Sequence, residues 1–108
     1  MTQGVRLVDL ERVKFLLNVV HAHDDIKLDL LTLAASQAVL DYLGTDYFAL
    51  TGSDSSEPEQ VPEVEQIATA MLVGKLYDGW DPREVSQGRL PNDVEALLYI
   101  RKRELGIA

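Results

Sequence analysis

Between Asp24-Asp25 and Gly44 the sequence runs at helical period with little polar interruption, and this segment constrains the fold more than any other. Ile26, Leu30, Leu31, Leu33, Ala34, Ala38, Val39, Leu40, Tyr42 and Leu43 are apolar. The polar residues Asp25, Asp29, Thr32, Ser36, Gln37 and Asp41 read as one narrow stripe. An ordinary surface helix buries a single apolar stripe. A helix over Asp25–Leu43 must bury most of its circumference, so it is central to the fold or also faces another subunit. Asp24 or Asp25 can cap its first turn, and Gly44 ends it as a C′ residue.

Three further helices follow from periodicity and end signals. Asp9 stands as N-cap before an apolar pattern of Leu10, Val13, Phe15, Leu16 and Leu17, and the stretch Asn18 to His23 breaks that helix. Pro62 opens a third helix as an N1 proline, with Glu63 and Glu65 in the dipole-favoured first turn. It continues to Tyr77, and Gly79 and Pro82 stop it. Gly74 within it costs roughly 1 kcal/mol against alanine, which marks a close approach by another helix. Pro91 starts the last helix, where Val94, Leu97, Leu98 and Leu105 face one way. Arg101-Lys102-Arg103 lies near its C-terminus, where cations complement the macrodipole; the same patch can meet an acidic partner surface or phosphate.

The fold class predicted is all-α: a small four-helix bundle forming one domain over 1–108, with a long loop, 45–61, between the second and third helices. Tyr47-Phe48-Ala49-Leu50-Thr51 is strand-like, and Gly52 to Pro58 is a polar run without helical period. Loops of this length in compact domains usually carry function or move. The segment reads as a protruding arm with a short hairpin, or as a frayed surface loop.

Charge and composition narrow the function classes. Acids outnumber bases 18 to 10, for a net charge of −8. A sequence-reading nucleic-acid protein needs Lys and Arg to replace released counterions, so an independent one is disfavoured. With no cysteine, disulfides, thiolate catalysis and cysteine-ligated zinc are excluded. The start Met1-Thr2-Gln3-Gly4 lacks the features of a secretory signal, and no apolar run approaches the roughly 20 residues of a membrane span. A soluble protein is expected, with no membrane contact.

No catalytic constellation emerges. His21, His23, Asp24 and Asp25 are the one cluster of metal-ligand types, but residues two apart on a helix point to different faces, and there is no third histidine. Asp25/Asp29, Glu63 with Glu65 or Gln66, and Asp78/Asp81 sit at helix ends or on polar stripes, where they read as a solvated charged face. Neither nucleotide-binding glycine motif occurs. The expectation is a non-enzyme with no cofactor and no metal.

In order, three blocks resemble the small phage head–tail connector family, also called head-completion or DNA-packaging adaptor proteins. The first is Asp24-Asp25 leading to Leu30-Leu31-x-x-Ala34-Ala35-Ser36-x-x-Val39-x-x-Tyr42-Leu43. The second is the Pro62 helix ending Met71-Leu72-Val73-Gly74-Lys75-Leu76-Tyr77-Asp78. The third is Leu90-Pro91-x-x-Val94-x-Ala96-Leu97-Leu98 with Arg101 soon after. Together they span about Val8 to Arg103. Asp78-Gly79-Trp80 departs from the arginine or asparagine the family often has after this Leu-Tyr.

The resemblance implies a virion protein, made in the host cytoplasm and placed at the capsid vertex. It implies a homo-oligomeric ring of about a dozen copies beneath the portal protein. Such a ring would join head to tail or stopper protein and extend the DNA channel after packaging, passing DNA without reading its sequence. Subunit or partner contacts are expected at Leu30, Ala34, Tyr42, Tyr47, Phe48, Trp80, Arg101, Lys102 and Arg103. Three other readings fit parts of the chain: a helical adaptor binding one protein partner, a magnesium-dependent nucleotide hydrolase, and a DNA mimic.

Overall fold

The computed structural model describes residues 6–20, 22–44, 61–81, 83–84 and 89–104. Four helices form among them: α1 (Leu10–Leu17), α2 (Asp25–Leu43), α3 (Glu63–Tyr77) and α4 (Asn92–Glu104). The all-α bundle read from periodicity is the observed fold. The loop residues 45–60, with the strand-like Tyr47 to Thr51, lie outside the described residues, as does Leu105. Val61, placed in that loop, is instead part of the buried core.

Local chemistry sets the ends. Asp9 caps α1, its carboxylate accepting from the Arg12 N–H at 2.8 Å. Asn18 ends α1 in the left-handed region at φ 58°, which asparagine tolerates better than most residues. Gly44 ends α2 at φ 100°, where a side chain would be strained. Pro62 stands at the N-cap of α3, one position earlier than expected for an N1 proline. Asp24 holds the N-cap position of α2 but makes no capping hydrogen bond. Its carboxylate instead accepts from the Tyr77 hydroxyl, tying the start of α2 to the end of α3.

The core lies between α2 and α3, which pack on each other more extensively than any other pair. Leu28, Ala35, Val39 and Leu43 of α2 meet a set that includes Ala68, Leu72, Val73 and Leu76 of α3. Val13 of α1, Leu7 and Val8 before it, and Val94 and Leu98 of α4 complete the cluster. Each fully buried side chain of this size contributes about 1.5–3 kcal/mol. The polar stripe expected on α2 is not a solvent face: Thr32 and Ser36 are fully buried. Both are satisfied there. The Thr32 hydroxyl donates to the Leu28 carbonyl at 2.7 Å, and Ser36 Oγ accepts from the Leu7 N–H at 2.9 Å.

The ion pairs and close contacts give each helix its direction and its place. Arg12 reaches Gln66 and Leu17 reaches Gly74, so α1 runs parallel to α3. Asp93 pairs with Lys75 and Arg101 with Glu65, so α4 runs antiparallel to α3. A Cβ on Gly74 would stand 2.8 Å from Leu17 Cδ2, which is the close helix approach that its position suggested. On α2, the residues that meet α1 and its lead-in (Asp25, Asp29 and Ser36) lie on one side of the face packed on α3. Tyr42, whose ring lies under Lys102 of α4, is on the other side. Both α1 and α4 contact α2 and α3, but they make no comparable contact with each other. In cross-section the bundle is a rhombus, with α2 and α3 on its short diagonal and α1 and α4 at its far corners.

Candidate docking surface

Turning α2 so that Thr32 and Ser36 go inward forces apolar residues outward. Ile26 is 82% exposed and Leu30 60%, and Ala34 continues the same stripe. Gln37 and Asp41 end it, hydrogen-bonded to each other at 2.8 Å. Near the start of this stripe, the end of α1 adds Phe15, 80% exposed, and the following Val20. Phe15 was expected in the apolar pattern of α1. It points away from the core because it lies on the opposite side of the helix from Val13 and Leu17, which are packed inward. A shallow groove lined by Glu11, Lys14, Phe15, Asn18, Val19 and Val20 runs beside it. Scattered exposed apolar residues are ordinary, but a run of them on adjoining elements marks a contact surface.

The second apolar surface is on α4, where Tyr99 and Ile100 are each more than half exposed. None of Phe15, Val20, Ile26, Tyr99 and Ile100 was singled out from the sequence as a contact residue. A helical wheel centred on Val13 and on Val94-Leu98 would have set Phe15 and Tyr99-Ile100 outside.

The expected contact residues fall into groups. Leu30, Ala34, Trp80 and Arg103 are exposed. Tyr42 is half-buried, with Lys102 Nζ 5.1 Å from its ring centroid, a cation–π contact. Burial pushes the Tyr42 hydroxyl pKa up, with Glu95 and Tyr99 adding to the effect. Tyr47 and Phe48 lie outside the described residues.

Arg101 is different. Its side chain is 18% exposed, and its Nε is 2.5 Å from Oε1 of Glu65, which is fully buried. Glu65 is therefore no part of a solvated acidic face, and the basic run at the end of α4 is split by function. Arg101 anchors α4 to α3, Lys102 lies on Tyr42, and Arg103 is exposed with no ion pair among the described residues. Glu65 Oε2 is buried with no hydrogen-bond partner among the described residues, so within them the pair is only half satisfied.

Other ion pairs sit at the surface and orient segments. Arg6 holds Asp29 by two bonds of 2.7 and 2.8 Å, and this keeps the Asp29 carboxyl below its ordinary range. Lys14 pairs with Asp25 at 2.7 Å. Tyr77, bonded to Asp24 and lying under Lys27 Nζ at 5.4 Å, has its hydroxyl pKa raised, chiefly by that bond. Arg83 bonds lower the Asp81 pKa. Among the described residues, no group of three or more His, Cys, Asp or Glu side chains is placed to hold a metal ion. No described helix is long and apolar enough to cross a membrane.

Fold and surface together define a small helical module with a packed core and exposed apolar residues on α1, α2 and α4. The family of phage gp6-like head–tail connector proteins matches residues 7–97, and the chain belongs to that family. It is a family of structural proteins, which makes this chain a connector component of the virion that works with other virion proteins. Comparison with curated proteins and with solved structures gave no significant match.

Proposed function

We propose that copies of this chain, acting as one unit over residues 1–108, form a ring under the portal protein. That ring joins head to tail or stopper protein and prolongs the DNA channel. The observation that carries the reading is the exposed stripe Ile26, Leu30 and Ala34 with Phe15 and Val20 near its start. A lone subunit leaves this apolar area in water, and contact with neighbouring proteins removes it. The net charge of −8 suits a channel wall, because phosphate is repelled and DNA passes without being gripped. Leu30, Ala34, Trp80 and Arg103 serve as contact residues in this reading, while Arg101 and Lys102 hold α4 in place. No step of it requires catalysis or a cofactor.

Light scattering of the purified chain, alone and mixed with its portal, tests the reading. Ring-sized particles in either sample support it. A chain that stays monomeric in both overturns it, and a stable dimer with a single partner supports the adaptor reading instead.

A further inference from the structure

We infer that the corner of the bundle carrying α1 is covered, in the assembly, by the outer face of α4 from a second copy of the chain. The inference rests on the ring reading and specifies its subunit interface. A ring built from one kind of chain uses heterologous contacts, so each copy must show two different surfaces that fit each other. They must also lie on opposite sides of the subunit, so that the chain of contacts continues around the ring.

The described residues contain such a pair. At one far corner of the rhombus, Phe15 stands on the solvent side of α1, with Glu11 one turn before it on the same face. At the opposite corner, Tyr99 and Ile100 stand on the solvent side of α4, with Arg103 one turn after them. Glu11 and Arg103 are both exposed and neither has an ion-pair partner among the described residues, unlike most charged residues of α1 and the end of α4. The two surfaces are thus complementary in charge as well as alike in character: an apolar centre flanked by an unpaired acid on one, and by an unpaired base on the other. Within one copy they cannot meet, because α2 and α3 lie between them. Between copies, Phe15 packs on Tyr99 and Ile100 while Glu11 faces Arg103.

The chain has no cysteine, so a pair can be introduced cleanly. In a Phe15→Cys/Ile100→Cys double variant, a short bismaleimide should join copies into a ladder of dimers, trimers and higher species. The reaction is run on the purified chain across a concentration series and on the chain mixed with portal, with sedimentation recording assembly in parallel. Either single variant should give no ladder. A second test swaps the charges. Glu11→Arg or Arg103→Glu alone should weaken assembly about tenfold, and the two together should restore most of it. If sedimentation shows rings but no ladder forms, or if either single variant cross-links to itself, this interface is wrong and the ring reading stands. If no assembly occurs in any sample, both fall.

Discussion

Helices α2 and α3 are nearly equal in apolar content and both bury polar residues, yet they differ in what they bury and in how much apolar surface they leave outside. α2 buries Thr32 and Ser36 while exposing Ile26 and Leu30. α3 buries Glu65, Gln66 and Thr69 and leaves Ile67 as its most exposed apolar residue. The difference follows from their surroundings. α1 and α4 each pack more extensively on α3 than on α2, so even the acid of α3 must find a partner inside, and Arg101 supplies it. α2 also touches the other three helices, but among the described residues its face turned away from α3 has no neighbour, and that face carries Ile26, Leu30 and Ala34. Polarity decides which small hydroxyls can be buried cheaply by bonding to nearby backbone groups. It does not decide which apolar residues stay out. For α2, the proposed contacts with partner proteins account for those.

The comparison breaks most easily at Glu65. Glu65→Ala leaves Arg101 largely buried and without its carboxylate, and should cost about 3–5 kcal/mol in urea unfolding. Replacing both with leucine should come close to the native stability or exceed it, because Glu65 Oε2 has no partner among the described residues already. A double variant as unstable as the single would mean that the pair contributes more than half-satisfied geometry suggests.

On α2, Leu28→Ala should cost about 2–5 kcal/mol, since Leu28 is fully buried in the core. Leu30→Ser, two residues away, should change stability by under about 0.5 kcal/mol. It should nevertheless reduce assembly measured by light scattering. If both variants destabilise the monomer equally, the exposed stripe is a packing surface and not a docking one.

Smaller effects sharpen the picture at the helix ends. Tyr77→Phe removes the bond to Asp24 and should lower the thermal unfolding midpoint slightly, by less than either core variant. Last is the tie between Arg6 and Asp29. Asp29 is held below its ordinary pKa, so the unfolded chain takes up its proton more readily than the folded one. The contribution is fully present above the ordinary carboxylate range and is lost as pH falls through the lowered value. Both partners are more than a third exposed, so the energy is small. Carboxyl NMR should show Asp29 titrating low in the native chain and returning to ordinary in Arg6→Gln.

The exposed apolar surface proposed for docking was legible in part. Leu30 and Ala34 belong to a helix too apolar to bury alone, and they are exposed. The choice of stripe was not legible, because Thr32 and Ser36 look like solvent residues until the Leu7 backbone and the Leu28 carbonyl are in place to bond them. The basic run of α4 misled for a related reason. Arg101, Lys102 and Arg103 are alike in sequence, but they point to three different sides of a helix. Only the position of Glu65 on α3 tells which one turns inward.

The sequence by itself determined four helices, because capping residues, glycines, prolines and apolar period act within a few residues along the chain. Asp9 and Gly44 belong to that local grammar. It also determined that α2 had to be covered on nearly every side. Tertiary structure alone decided which side stays open, which acid goes inside, and that α1 and α4 stand at opposite corners of the bundle. Those outcomes depend on pairs far apart in sequence, such as Glu65 with Arg101 and Leu7 with Ser36, and packing selects among faces that local preference leaves equivalent.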